Sequence, residues 1–528
     1  MKRRVLRRTL LTAALSLALF SPAATRLLAR APASALAPGE ARHPDAGAVE
    51  GPADPATVGQ WTAPFPFPTI PIHSHLLPTG KVLFWDRHDV PENDGHPRLW
   101  DPASGEFTAV PDPPPGHDLF CSGHTFLEDG RLFVAGGHYS DLRGQPFAAT
   151  FDPFRSSWSM LPEMNAGRWY PTATTLSTGE ALILSGTDAN GGSNLLPQVY
   201  RPQEFSWRNL TDAERDLPYY PLVFQAPNGK AFVVGPQAPA FELDTSGTGA
   251  WSAVANSGHG FRDYGSAVAY SAGKILFAGG GQPPTATVQS IDLLAPTPAF
   301  TELPPMAHAR RQLNLTVLPD GSVLATGGTS ADGFNNATGA VLATEIWSPG
   351  SPAWIPLAPI AEARLYHSMA LLLPDGRVLV GGGGHPSDTE HGDSSHLNAQ
   401  LFSPPYLFHG PRPTILAAPA SVAFGKSFDV ELGPETPVAA LTFVRLGSVT
   451  HSFNMNQRFL NLVSTPSVSG RTVTAPSDPR LAPPGHYMLF ALSATGVPSV
   501  AKIVRLTNAI FEDGFEDQTT DAWSTFLF

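Results

Sequence analysis

The sequence is short of cysteine, of basic residues beyond its first segment and of long apolar runs. Each shortage excludes something. The single cysteine, Cys121, cannot close a disulfide within the chain. Its thiol is therefore a small buried hydrophobe, a link to another molecule or a chemical group in use. Lys and Arg total 33 against 45 Asp and Glu, for a net charge of −12. Residues 1–35 hold seven of the basic residues and no acid, so the rest of the chain carries −19. That sign argues against nucleic acid or an anionic membrane as partner. The apolar run at residues 9–20 is too short for a comfortable bilayer span, and no other run is long enough.

What is present at the amino end is a processing pattern. Lys2, Arg3, Arg4, Arg7 and Arg8 precede the apolar run, small residues follow it, and Ala33-Ser34-Ala35 offers a cleavage point. This reads as an export signal, and Arg7-Arg8 also permits a twin-arginine route. A secreted or periplasmic protein is expected, with no transmembrane segment once residues 1–35 are removed. Further on, Pro (55) and Gly (49) are abundant while 42% of residues are hydrophobic. Such a chain is too apolar for disorder, so these residues predict many turns between short strands.

The turns recur. A strand opened by a turn glycine follows Gly80, Gly130, Gly179, Gly229, Gly273, Gly321 and Gly376, at intervals of 50, 49, 50, 44, 48 and 55 residues. Each glycine is preceded by another apolar strand, so each marks a hairpin. Most units add a further strand, a polar turn and a Trp or Phe, as at Trp158, Trp207 and Trp354. Four short strands repeated seven times predict an all-β, seven-bladed propeller of kelch type. The segment near Trp61 is expected to complete the last blade beside residues 397–402, which leaves no open edge. After about Pro411 the period stops, and the alternation that follows predicts an immunoglobulin-like β-sandwich. The expected organisation is a signal at 1–35, a linker at 36–56, the propeller at 57–410, the sandwich at 411–507 and a tail at 508–528 that the sequence does not explain.

Counting back nine residues from each turn glycine gives Pro71, Cys121, Tyr170, Tyr220, Tyr264, Gln312 and His367. One residue earlier stand Ile70, Phe120, Trp169, Tyr219, Asp263, Arg311 and Tyr366. Equivalent blades place these positions at one height around the axis. A core would use aliphatics there. Polar propeller channels often only hold water, and that reading serves Tyr220, Tyr264 or Gln312 alone. A thiol, several phenols and an imidazole together suit a transition metal, copper or iron(III) rather than zinc. One imidazole from the blades is too few, so a second must come from elsewhere.

At these residues the chain resembles the copper-radical oxidases, the galactose oxidase and glyoxal oxidase family. The matching pieces are Phe120-Cys121-Ser122-Gly123-His124, Arg168-Trp169-Tyr170-Pro171-Thr172, Arg364-Leu365-Tyr366-His367-Ser368, the glycines 381–384, the stretch from Val449 to Arg458 around His451, and Gly485-His486-Tyr487-Met488. The resemblance implies one copper ion held by Tyr170, Tyr366, His367 and His451. It implies a self-processed thioether between Cys121 and Tyr170, with Tyr170, Tyr366 and Cys121 as the catalytic set. The implied reaction oxidises a small aldehyde or primary alcohol and reduces dioxygen to hydrogen peroxide. No organic cofactor is required. Copper accepts one electron, so a tyrosyl radical is needed as the second oxidant. Tyr366 would act as general base and Tyr170 would abstract the hydrogen atom.

The pattern also departs from galactose oxidase. No Trp stands near Gly186-Thr187-Asp188, where that enzyme has one over its thioether; Trp169 could shield the ring or simply pack. The sugar-holding arginine has no clean counterpart, and Arg262, Arg310 and Arg311 could equally be structural charges. Trp169, Arg262, Tyr264 and Arg311 are the candidates for radical shielding or substrate contact. No counterpart of the sugar-binding module of galactose oxidase is read in the sequence. These departures favour a glyoxal-like small aldehyde over a sugar, with a primary alcohol still open. His73, His75, His124, His138, His385, His391 and His396 are expected to be loop groups or neighbours of ligands. Two other readings stay open: a non-catalytic extracellular kelch-type binding module, because the fold hosts many functions, and a mononuclear metal protein without the thioether radical.

Overall fold

All seven turn glycines adopt a left-handed backbone, with φ between 69° and 91°. An L-side chain resists that conformation, which is why glycine recurs there. The computed structural model describes residues 53–87, 96–384 and 395–508. The export signal, most of the linker, His385, His391 and nearly all of the tail lie outside the described residues. At the end of the expected linker, Pro55–Val58 forms one helical turn capped by the Asp54 side chain.

Each glycine joins the first two strands of a blade. Blade 2 runs Gly123–Phe126, Leu132–Ala135, Ala148–Asp152 and Ser157–Met160, hydrogen-bonded in that order. Blades 1 and 3 to 6 repeat the scheme. The seventh is closed by the amino end, as expected: Gln60–Trp61 pairs with Asn398–Ser403, Trp61 opposite Phe402. The core lies between neighbouring blades, for example Trp85 of blade 1 against Trp158 of blade 2, ring centroids 6.4 Å apart.

Two repeated side chains tie the ring. The outer-strand tryptophans donate their indole N–H to a carbonyl at the end of the preceding blade. Trp158 reaches Pro111 at 3.0 Å, Trp207 reaches Pro162 at 2.6 Å, Trp251 reaches Ala213 at 2.8 Å, Trp354 reaches Pro304 at 3.0 Å and Trp61 reaches Ala358 at 2.8 Å. The buried arginines ahead of the inner strands instead bind carbonyls within their own blade. Arg168 donates to Ser185 and Leu196, Arg262 to Gly279, Arg310 to Gly327 and Ala343, and Arg364 to Gly382 and Asn398.

The carboxy-terminal domain is one curled eight-stranded sheet, in which Val438–Arg445 lies between Phe459–Pro466 and Gly485–Ser493. From it a hairpin enters the propeller channel. Its strand Ser448–Thr450 pairs antiparallel with the innermost strand of blade 1, Ser74 opposite Val449 and His75 opposite Ser448. The residues after it grip three more blades. Asn456 accepts from Thr125 at 3.0 Å, Gln457 exchanges two hydrogen bonds with Val317, and Arg458 donates to the Gln225 carbonyl at 3.0 Å.

A close backbone approach tests this packing. A Cβ on Gly327, at φ +67°, would lie 2.3 Å from the Arg364 carbonyl oxygen, whereas one on Gly350, at φ +86°, meets nothing within 4 Å. Gly327→Ala is expected to lower unfolding free energy by about 3 kcal/mol and Gly350→Ala by about 1 kcal/mol. Urea denaturation of the two variants measures the difference. Equal losses would show that the contact is not tight.

Candidate metal centre

Six of the seven positions nine residues before the turn glycines share one backbone state. Cys121, Tyr170, Tyr220, Tyr264, Gln312 and His367 all have φ between 43° and 64°. The seventh is Pro71, whose ring fixes φ near −65° and forbids that state. Three links of a hydrogen-bonded ring connect neighbouring blades: Tyr170 N–H to the Cys121 carbonyl at 2.9 Å, Tyr220 N–H to Tyr170 at 2.9 Å and Gln312 N–H to Tyr264 at 2.8 Å. The left-handed turn aims each side chain at the axis rather than into the blade interface.

The second imidazole arrives from the carboxy-terminal domain. His451 and Ser452, at φ 46° and 70°, join Ser448–Thr450 to Phe453–Asn454. Two consecutive positive φ values make a two-residue primed turn, the tight hairpin type. His451 thus stands at the hairpin tip inside the channel. Its Nε2 lies 2.9 Å from Tyr170 Oη, and Tyr170 Oη and Tyr366 Oη are hydrogen-bonded to each other. The His367 and His451 rings are 4.9 Å apart and nearly perpendicular, and Tyr366 stacks on His367 at 3.8 Å. All four side chains are buried. The Cys121 thiol is fully buried, and the residue's carbonyl accepts the Tyr170 N–H at 2.9 Å.

Neighbours set the imidazole tautomers. The Gly384 carbonyl, from the glycine run, lies 3.2 Å from His367 Nδ1 and can only accept, so that nitrogen carries the proton. Thr450 Oγ1 engages His451 Nδ1 at 2.6 Å. His367 Nε2 is therefore unprotonated, while the Thr450 hydroxyl, able to donate or accept, holds the His451 ring in place. Burial holds His451 neutral, at about 3. It also pushes the Tyr170, Tyr220 and Tyr366 phenols well above the ordinary tyrosine value, and raises Tyr264. Burial raises the Cys121 thiol as well. Among the described residues no group of three or more His, Cys, Asp or Glu side chains is arranged to hold a metal. The donor set is two imidazoles with two phenols, which suits a borderline transition ion.

The remaining candidates divide. Trp169 lies parallel to Tyr170 at 3.6 Å and 4°, and its indole N–H donates to His138 Nδ1 at 3.1 Å. Tyr264 lines a cavity of about 180 Å³ beside Tyr170 and His451, together with Tyr219, Tyr220, Phe261 and Asp263. Arg262 does not face that cavity: it is buried in its blade against Phe277 and bonded to Gly279 and Gln289, so it is a structural charge. Arg310 pairs with buried Glu345 and is structural too. Arg311 stands one layer back, 2.6 Å from Asp263 and over the Tyr264 ring at 5.2 Å. Tyr220, which alone reads as a water-binding channel group, instead stacks near Tyr170 at 4.6 Å and donates to the Ser122 carbonyl at 3.0 Å. Phe334, 4.4 Å from Tyr366, sits on a loop that carried no signal in the sequence. His138 does follow the Gly136-Gly137 pair, which could have marked it. His73, His75 and His124 form a buried cluster on the blade 1 side of Cys121.

The chain is similar to known proteins. The model described as Glyoxal oxidase N-terminus matches residues 277–406, and that described as Galactose oxidase-like, Early set domain matches residues 412–506. A galactose oxidase of Gibberella zeae is 29% identical over 492 residues, covering 85% of this chain and 71% of that protein. An aldehyde oxidase GLOX of Vitis pseudoreticulata is 32% identical over 443 residues, covering 74% of this chain and 82% of that one. A fungal alcohol oxidase solved in complex with copper superposes with a TM-score of 0.78 at 27% identity, over 85% of this chain and 100% of that one.

The raised phenols have a measurable sign. Their folded values exceed their unfolded ones, so the stability they contribute is fully present below about pH 10 and is lost as pH rises through the folded values. In metal-free protein, Tyr170, Tyr220, Tyr264 and Tyr366 are expected to ionise only as the chain unfolds at alkaline pH. Tyrosinate absorbance followed alongside circular dichroism reads this directly. Ionisation of all ten tyrosines in the ordinary range, with the fold intact, would mean the site is wet.

Proposed function

The chain belongs to the copper-radical oxidase family, and on that premise we propose that it is an exported enzyme oxidising a small uncharged aldehyde or primary alcohol at the expense of dioxygen. One copper ion would be held by Tyr170, Tyr366, His367 and His451. The observation that carries this reading is the meeting of His451, on the hairpin tip, with Tyr170 Oη at 2.9 Å beside Tyr366 and His367. The residues fit the ion. Both imidazoles have an Nδ1 already engaged, and the two phenols need a cation nearby before burial lets them ionise.

Bound copper supplies a one-electron acceptor and the seat for dioxygen reduction. The chain supplies the rest. Cys121 is fully buried and one blade before Tyr170, whose N–H donates to the Cys121 carbonyl at 2.9 Å, so the thiol would meet the ring carbon next to Oη. A C–S bond forms there. The thiol hydrogen and the ring hydrogen leave as two protons and two electrons, which dioxygen takes up as hydrogen peroxide. The thioether lowers the potential of the ring and spreads its spin. Trp169, parallel to Tyr170 at 3.6 Å, covers the radical from water. In turnover Tyr366 takes the hydroxyl proton of the alcohol or aldehyde hydrate, and Tyr170 takes a hydrogen atom from the same carbon. The substrate gives up two protons and two electrons, and dioxygen leaves as hydrogen peroxide.

The cavity limits the donor. Its walls include Pro218, Tyr219, Pro236, Phe261 and Tyr264, and Asp263 is its charged lining residue, already paired with Arg311. Such a lining offers an anionic donor no partner and leaves it facing a carboxylate.

Copper-loaded protein in air is expected to lose the mass of two hydrogens from the peptides carrying Cys121 and Tyr170. Cys121→Ser should abolish that loss and lower turnover on the order of a hundredfold or more, as for groups that act as a unit. Peroxide release is expected with glyoxal, methylglyoxal, glycolaldehyde or simple alcohols, less with galactose, and least with the carboxylate glyoxylate. Full activity in Cys121→Ser would sink the radical while sparing a plain metal site.

A further inference from the structure

At Cys121 the inter-blade backbone hydrogen bond made by Tyr170, Tyr220 and Gln312 is missing, and a histidine takes its place. Tyr170, Tyr220 and Gln312 each donate a backbone N–H to the left-handed residue of the blade before. For Cys121 that predecessor is Pro71, which cannot turn its carbonyl the same way because its φ is fixed. The Pro71 carbonyl instead accepts from Ser74 Oγ of its own blade at 3.2 Å. The Cys121 N–H, fully buried, still requires an acceptor. It finds His73 Nε2 at 3.2 Å.

An amide N–H can only donate, so His73 Nε2 is unprotonated and its proton is on Nδ1. That nitrogen lies 3.1 Å from His124 Nε2, which therefore accepts. His124 then carries its proton on Nδ1, 2.6 Å from Ser448 Oγ, and the serine hydroxyl is left to donate to His75 Nδ1 at 2.9 Å. The chain of bonds has one direction and fixes three neutral tautomers. The His73 ring is further held by stacking on Trp85 at 5.2 Å and 13°, and Trp85 is anchored by its own N–H on the Leu119 carbonyl. Ser448 belongs to the same hairpin that carries His451.

We propose that His73 is a positioning residue for cofactor formation: its Nε2 takes the place of the missing carbonyl, holds Cys121 in its left-handed conformation and so aims the thiol at the Tyr170 ring. The inference rests on the thioether reading above. Because the line of tautomers passes through Ser448 on the hairpin, docking of the carboxy-terminal domain and aiming of the thiol are coupled.

The test is the rate at which copper and air remove two hydrogens from Cys121 and Tyr170, read by mass spectrometry on the full chain, with thermal unfolding as control. His73→Phe keeps a flat ring and removes the acceptor; it is expected to slow the conversion roughly tenfold or more, from loss of one buried hydrogen bond. His73→Gln can present its amide oxygen to the Cys121 N–H and should return the rate to within a few-fold of the unsubstituted chain. Should His73→Phe not fold, His73→Met takes its place against His73→Gln. Conversion at the full rate in the Phe or Met variant, or equally slow conversion in the Gln variant at unchanged melting temperature, overturns the role of His73 alone. Absence of the mass loss in the unsubstituted chain overturns the thioether reading and this inference with it.

Discussion

A left-handed backbone at one position per blade is the constraint on which the centre depends. An L-residue resists that state by roughly 1–2 kcal/mol, so six of them in one ring must be held by their surroundings. The inter-blade hydrogen bonds and the buried packing of the inner strands hold them. The conformation repays this by geometry. A residue entering a blade in extended form would alternate between the two blade interfaces, where aliphatics pack. The left-handed step breaks the alternation once and turns a single side chain toward the axis. Thiol, phenols, amide and imidazole reach one point because the same distortion is repeated around the ring. Proline, at the one position where it stands, cannot adopt that state, and the Cys121 N–H is met there by the His73 side chain.

The second constraint is the hairpin of the carboxy-terminal domain. A propeller alone supplies one imidazole at this height. The other is delivered on a two-residue turn, and the hairpin is held by extending the sheet of blade 1 inward. Register is therefore set by main-chain pairing rather than by side-chain fit, which places His451 to within the tolerance of a strand ladder. The polar residues Asn456, Gln457 and Arg458 then saturate main-chain or hydroxyl groups of three further blades. Buried polar groups need such partners, and the polarity of this stretch serves docking as much as chemistry.

Much of this was readable from spacing. The period of about fifty residues predicts the blades, the closing partner of Trp61 and the ring of special positions, because turn glycines sit at a fixed distance from the axis. What spacing cannot show is direction. Arg262 and Arg311 occupy positions one residue apart in the repeat, yet Arg262 is held inside its blade by the Gly279 carbonyl while Arg311 reaches Asp263 at the cavity wall. Tyr220 and Trp169 differ from ordinary core aromatics only by their orientation to Tyr170, which depends on the left-handed turns. Phe334 belongs to a loop outside the period. His451 was reached only through a resemblance, since no periodicity connects the sandwich to the channel. Membership of the family agrees with the blades and the curled sheet, while the roles of individual side chains stand on geometry and on the experiments attached to them.

The electrostatics explain why such a site waits for a cation. Two phenols in contact, each driven by burial toward its protonated form, share one hydrogen bond beside the neutral His451 imidazole. The nearby charges stand back from the phenols: Arg311 is paired with Asp263 behind Tyr264, and Arg87 lies over the Phe120 ring. An added proton has no stable seat, and neither phenolate can form alone. A divalent ion held there would change both conditions together, by stabilising phenolate charge and by taking the His367 lone pair that the Gly384 carbonyl orients. Binding therefore releases phenol protons rather than recruiting new charge, and its free energy adds to folding stability. A site built from acids would hold the ion without that coupling. Here the Tyr170 and Tyr366 phenols would ionise only with a cation beside them, so on the proposed chemistry the Tyr170 ring would stay a neutral phenol until the ion arrives.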